Sequence, residues 1–143
     1  MAQYNWSNIK VEFDNSSGTL VDMSQYITSI NGVKINAPTV DVTPLGSSAG
    51  GWQKNLFGGL LQMDEITIEG FYDDTASTGP DAIFKDLGCV ATSGGTRTLK
   101  VTWGGTKYTQ VETIITGYDR TPSKGQPTMF TVTLTATGAV TEV

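Results

Sequence analysis

In MFTVTLTAT, residues 129–137, every second side chain is apolar. Phe130, Val132, Leu134 and Ala136 fall on one face of an extended chain, and Met129, Thr131, Thr133 and Thr135 on the other. A β-strand sorts these residues cleanly because its side chains alternate with period two, whereas a helix would scatter them around its axis. The same period recurs along the chain. Ile9, Val11 and Phe13 alternate with Lys10 and Glu12, and the turn residues DNSSG (14–18) follow. TVDVT (39–43) alternates, as does EITIEGFYDD (65–74), where Ile66 and Ile68 oppose Glu65, Thr67 and Glu69. Leu99, Val101 and Trp103 share a face of RTLKVTW (97–103), Gly104 and Gly105 supply a turn, and KYTQVETIITGY (107–118) returns.

Two connections are expected from turn chemistry. LVDMSQYITSING (20–32) reads as a strand with a polar kink at residues 22–24. It ends in Asn31-Gly32, a hairpin signal, with Val33 and Ile35 opening the return strand. DRTPSKGQPT (119–128) reads as a polar loop. Gly70 marks a bulge or a close approach of backbone. One helix is predicted, in TGPDAIFKDLG (78–88): Thr78 or Gly79 as cap, Pro80 at the first helical position, Asp81 at the positive end of the dipole, Gly88 as the stop. Its stripe is Ile83, Phe84 and Leu87, and two turns are too short to stand alone, so it must lie on the sheet. The 143 residues suit one mainly β domain over 1–143, without internal repeat or linker.

The chain carries no histidine and a single cysteine, Cys89. That removes histidine-based catalysis, the usual zinc constellations and any internal disulfide, and leaves Cys89 as a small buried apolar residue. Glu65 and Glu69 share a strand face, but their Cα atoms lie ~13 Å apart at ~3.4 Å per residue, poorly placed for a glycosidase pair. Asp73, Asp74 and Asp81 lack the alternating oxygen spacing of a calcium loop and read as turn and cap residues. Residues 46–51 superficially resemble a phosphate-binding loop, but Trp52 stands where lysine is required. The net charge of −5 argues against gripping nucleic-acid phosphates. The opening MAQYNWSNIKVEF reads unlike a signal peptide and no run approaches a membrane span, so a reducing cytosol is expected and the glycosylation matches at Asn5 and Asn15 are chance. No enzyme and no cofactor are expected.

LGSSAGGWQKNLFGGLLQMD (45–64) fits none of this. About twenty residues is long for a connection without structure of its own. It is also too greasy for a solvated linker: Trp52, Leu56, Phe57, Leu60, Leu61 and Met63 are present and Lys54 is its only charge before Asp64. Such a segment either folds back over its own sheet as an Ω-type loop or covers a neighbouring subunit. Its reach and its five glycines (Gly46, Gly50, Gly51, Gly58, Gly59) favour the neighbour.

The order of these features resembles that of the major tail tube proteins of long-tailed, siphovirus-type bacteriophages. The stretches that carry the resemblance are VDMSQYITSI (21–30), a strand ending in VTPLG (42–46), GLLQMDEITIEGFYDD (59–74) before a short helix, and the closing IITGY (114–118) and FTVTLTATG (130–138). The resemblance implies a β-sandwich or partial barrel with one short flanking helix. It further implies hexameric rings stacked into a hollow tail tube, assembled in the host cytoplasm and carried in the virion, through which DNA passes without specific binding. Partners would be further copies, a tape measure and an initiator, with no membrane. On this reading the loop at 45–63 is the subunit interface, through Trp52, Leu56, Phe57, Leu60, Leu61 and Met63. Glu65, Thr67 and Glu69 are the candidates for the lumen, with Thr131, Thr133 and Thr135 as alternatives. Tyr4 and Trp6, or the segment AVTEV (139–143), would meet the next ring. A different class stays open: a monomeric ligand- or carbohydrate-binding β-sandwich using Trp6, Trp52 and Trp103.

Overall fold

The computed structural model describes residues 3–43, 51–90 and 95–143. In chain order the strands are β1 (Lys10–Asp14), β2 (Leu20–Asp22), β3 (Ile27–Asn31), β4 (Ile35–Asn36), β5 (Thr39–Asp41), β6 (Asn55–Phe57), β7 (Gln62–Met63) and β8 (Ile66–Phe71). The helix α1 (Pro80–Phe84) follows, then β9 (Arg97–Thr102), β10 (Tyr108–Ser123) and β11 (Gln126–Glu142). Seven strands form one antiparallel sheet in the order β2-β1-β9-β10-β11-β8-β3.

That order forces the sheet to fold over. Its two outer strands, β2 and β3, are consecutive in the chain. The five steps from Asp22 to Ile27 reach at most ~18 Å, whereas seven strands laid flat would hold their outer members ~29 Å apart. The long hairpin of β10 and β11 makes the fold-over possible. β9 attaches to β10 near the open end of the hairpin, from Tyr108 to Thr113, and β8 attaches to β11 nearer the turn, from Met129 to Leu134. Register shifts interrupt the hairpin ladder within each attachment, between Gln110 and Glu112 beside β9 and between Ile115 and Gly117 beside the end of the β8 pairing. One half, β2-β1-β9 with the start of β10, therefore faces the other, β3-β8-β11 with the end of β10. This is a sandwich made from a single sheet: the alternation announced its strands, and the resemblance implied the partial barrel.

The core lies between the halves. Val11, Phe13, Leu99 and Val101 come from one side, and Ile66, Ile68, Phe130, Val132 and Leu134 from the other, all buried. The helix sits where they meet. The ring of Phe84 lies 4.9 Å from that of Phe13 and 5.6 Å from that of Phe130. Pro80 starts the helix at its first turn with Gly79 as cap, as predicted, and the chain leaves through a 3-10 turn (Leu87–Cys89) in which Gly88 adopts φ 70°. Leu87 departs from the predicted stripe: it is half exposed, because the helix ends at Phe84 and the phase of its apolar face is lost. Arg97, 1% exposed, anchors the helix by donating to the Ile83 carbonyl and, at 2.6 Å, to the Asp86 carboxylate. Cys89 is fully buried.

Two turn expectations are corrected. Asn31-Gly32 is not a hairpin turn, since β3 pairs with β8 and β4 with β7. It is the corner at which the chain leaves the sheet: Gly32 has φ 90°, and a Cβ there would overlap the Glu65 carbonyl. Nor is 119–128 a loop. The hairpin ladder continues to Ser123 and Gln126, leaving only Lys124 and Gly125 as the turn, with Gly125 at φ 80°. The polar composition there reflects a hairpin end that projects past the core, not a lack of strand.

Gly70 is a close approach, as its place in the strand suggested. A Cβ on it would overlap the Tyr26 carbonyl and press on the Phe130 ring at 2.9 Å. Gly70→Ala is therefore expected to cost about 1–3 kcal/mol. The midpoint of denaturant unfolding should fall with its slope unchanged; an unaltered midpoint would refute the close packing.

Candidate assembly interface

The first part of the greasy loop, residues 45–50, lies outside the described residues. The remainder is not a structureless loop, because TVDVT finds partners within it. β5 pairs with β6 through Thr39–Phe57, Val40–Leu56 and Asp41–Asn55, and β4 with β7 through Ile35–Met63 and Asn36–Gln62. Backbone bonds from Gly58 to Pro38 (2.7 Å), Val42 to Lys54 (2.8 Å) and Asp64 to Lys34 (3.2 Å) extend these ladders. The result is a two-stranded arm that, among the described residues, pairs with no strand of the seven-stranded sheet.

The arm keeps its apolar side chains in solvent. Trp52 is 78% exposed, Leu60 72% and Leu61 67%, and more than half of Leu56 and of Phe57 is open. Only Met63, at the arm's root, packs against the core. The Ω-type alternative required these side chains to be sealed against the chain's own strands, and they are not. Together they expose on the order of 600 Å². That reaches the upper end of the largest patch on a typical monomer and most of the ~800 Å² one partner buries in a stable interface. At ~25 cal/mol per Å² the gross gain on covering it is about 15 kcal/mol, enough to offset a ~4–15 kcal/mol cost of association.

Three further exposed apolar residues, Ile35, Val40 and Val42, belong to the same arm. The alternation of TVDVT was visible in the sequence, but it announces a strand with one apolar face without saying that nothing of the same chain covers that face. Ile35, Phe57, Leu60, Leu61 and Met63 line one side of an open groove of about 720 Å³, and Ala136 and Val140 of β11 line the other.

The candidates for the lumen and their alternatives turn out to share one surface. Thr67 stands opposite Thr133, and Glu69 opposite Thr131. Across β11, Thr131 meets Asp119 and Thr135 meets Ile114, while Ser29 of β3 flanks Glu69. Glu65 is exposed just ahead of β8. No lysine or arginine stands in these cross-strand rows. Arg120, next to Asp119, turns to the opposite side, where it donates to Asp81 at 2.6 and 2.9 Å. The Tyr118 hydroxyl donates to the same carboxylate at 3.1 Å. Burial first, and then that bond, hold the phenol above the usual tyrosine range. The outward face of the other half is mixed: Lys10 pairs with Glu12 at 3.7 Å, and the Lys100 ammonium lies 4.4 Å from the centre of the Tyr108 ring.

Tyr4 and Trp6 are each half exposed at the head of β1. Asn5 caps the 3-10 turn Trp6–Asn8, and the Tyr4 ring lies over the Gly104-Gly105 turn so closely that no Cβ fits on Gly104. Most of AVTEV is strand: β11 runs to Glu142, and the amide of Val143 donates to Tyr108. The three tryptophans stand on separate elements, the N-terminal turn, the arm and the residue after β9, where Trp103 donates to Thr109 at 2.8 Å. Asp73 accepts from Thr75, the turn duty expected of it, whereas Asp81 makes no cap bond: it stands in the first turn of the helix and its carboxylate accepts from Tyr118 and Arg120. Among the described residues no three potential ligands converge on a metal position.

The fold, one large antiparallel sheet with a single short helix among the described residues, is similar to that of tail tube structures. It is similar to a chain in the tail of an empty gene transfer agent particle with C6 symmetry, at 25% identity and a TM-score of 0.76 over 99% of both chains. A chain in the virion of the native gene transfer agent gives 21% identity and 0.74, again over 99% of each. A chain of the six-fold symmetrised baseplate of the anti-feeding prophage gives 11% and 0.63, over 94% of this chain and 91% of that one. The last two show likeness of fold alone. No protein-family model and no curated protein sequence matches the chain. The neighbours support a structural part in a tail particle rather than an enzyme.

Proposed function

We propose that this protein is the repeating subunit of a tail tube: six copies close a ring, rings stack into a hollow tube, and DNA passes along its bore. The observation that carries the reading is the match over 99% of both chains to a protein of a tail with C6 symmetry. Two open sheet edges support a ring. Within the strands β10-β11-β8-β3, one outer member, β3, has no second partner among the described residues. At the other side, β10 beyond Thr113 is paired only with β11. Open edges on both sides let the sheets of neighbouring copies join into one continuous inner barrel, which would also remove edges otherwise prone to unspecific pairing. The face of those strands is the one that carries Thr67, Glu69, Thr131, Thr133 and Asp119.

As a bore this surface works passively. Each copy adds carboxylates and hydroxyls, so a phosphate backbone meets repulsion and few fixed cations and slides without a resting place. The exposed arm, with Trp52, Leu56, Phe57, Leu60 and Leu61, holds the neighbouring copy, and Tyr4 and Trp6 face the next ring. The tape measure and an initiator are the expected partners, assembly takes place in the host cytoplasm, and the finished protein is carried in the virion tail.

The purified protein, concentrated or supplied with its tail initiator, is expected to form hollow tubes of six-fold rings under electron microscopy, with a matching rise in light scattering. Monomers under every such condition, initiator included, would overturn the reading.

A further inference from the structure

The arm has a second apolar surface. Residues directly opposed in an antiparallel pair lie on the same face, and neighbours along a strand lie on opposite ones. Val40 is paired with Leu56, and Thr39 with Phe57. Val42 follows Val40 by alternation. One side of the ribbon therefore presents Val40, Val42 and Leu56, all exposed, while Phe57 on the other side lines the groove. The far wall of the groove is equally open. β8 stops pairing with β11 at Leu134, so from Ala136 onward β11 has β10 on one edge and no strand on the other.

The geometry points to a head-to-tail contact: the Val40–Val42–Leu56 face of one copy's arm seats in the groove between the arm root and β11 of the next copy. The inference rests on the tube-subunit reading and adds to it which surface receives the arm.

Three arguments support a second copy as the occupant. An arm cannot fill its own groove with this face, because the face points away from Phe57. The groove, about 720 Å³, lies within the ~300–1,000 Å³ of well-filled clefts and accommodates a few aliphatic side chains. The two patches also differ and lie on opposite faces of the ribbon. Joining unlike patches adds copies in sequence, giving rings or filaments, whereas arm against arm would close at a dimer. A ribbon of two and three residue pairs is marginal alone, so an interface on this face stabilises the arm as well as the ring.

The test is a double variant, Val40→Cys with Val140→Cys. Native Cys89 is buried and stays out of the chemistry. Oxidation of assembled tubes is expected to give a ladder of covalent multimers on non-reducing gels, absent from either single variant. Should the double variant fail to assemble, the two single variants are co-assembled with each other. Cross-linked dimers are then expected in the mixture and in neither batch alone. Intact tubes without these products, or a ladder that stops at dimers in the double variant, overturn the groove as the receiving surface and leave the tube reading standing. If the unmodified protein never forms tubes, the tube reading itself falls.

Discussion

Replacing Trp52 and Phe57 together by alanine is expected to abolish tube growth while moving the melting temperature of the isolated subunit by no more than about 2 °C. Both halves of that result come from exposure. In the isolated chain Trp52 is 78% exposed and Phe57 55%, so truncation removes little that the folded subunit already buries. On the proposed reading the same side chains are covered once a tube assembles. At ~25 cal/mol per Å², the lost contact is worth about 5 kcal/mol gross for each subunit added. That raises the concentration needed for growth by roughly three orders of magnitude. Sedimentation or electron microscopy reads the assembly and thermal circular dichroism the subunit. A fall of ten degrees with growth intact would show that the two rings pack on their own strands, and the interface reading would be lost.

Phe84→Ala is expected to fail in the opposite way. Phe84 is fully buried and bridges Phe13 on one half of the folded sheet and Phe130 on the other. A helix of five residues has no stability of its own and is held by this side chain, Ile83 and the Arg97 anchor. Truncation leaves a cavity between the halves at a cost of about 3–5 kcal/mol, a large share of the ~5–15 kcal/mol that stabilises a domain. The melting temperature should drop by roughly 10 °C. A drop of less than about 2 °C would mean that the halves do not depend on the helix where they meet. Comparing the two variants separates a subunit that folds but does not polymerise from one that cannot hold its shape.

Local chemistry was the readable part of this fold. β1, β8, β9 and the core stretch of β11 announce themselves by period-two alternation, and Gly79-Pro80 marks the helix start. Gly70, buried Cys89 and the turn aspartate Asp73 were also placed by residue type, whereas the carboxylate of Asp81, read as a cap, accepts from Tyr118 and Arg120 of β10. What escaped is whatever depends on partners distant in sequence. Asn31-Gly32 has the right dipeptide for a hairpin, but Ile30 and its neighbours found a better partner in β8, and the chain had to turn out of the sheet instead. Polar residues 119–128 looked like loop because alternation shows only where one face is buried, and this end of the hairpin projects past the core. The arm was legible as excess apolar surface, not as structure. Of its strands β5 showed alternation in TVDVT, β6 and β7 are too short for a pattern, and the open face of Val40 and Val42 exists only relative to neighbours. The Glu69 and Thr131 sets stood as alternatives in sequence because register, which makes them one surface, is not written in alternation.

The strand order also sets a timetable. β10 and β11 are neighbours in sequence and closed by a two-residue turn, so their ladder carries little loop-closure entropy and can form first. β1 must wait for β9, and β3 and β8 for β11, across tens of residues. A ribosome works from the amino end, so a nascent chain bears its sticky arm well before residues 136–140, the other bank of the groove, have been made. If the groove receives the arm as proposed, unfinished chains lack a complete receptor for one another, and polymerisation is deferred until translation has passed the hairpin.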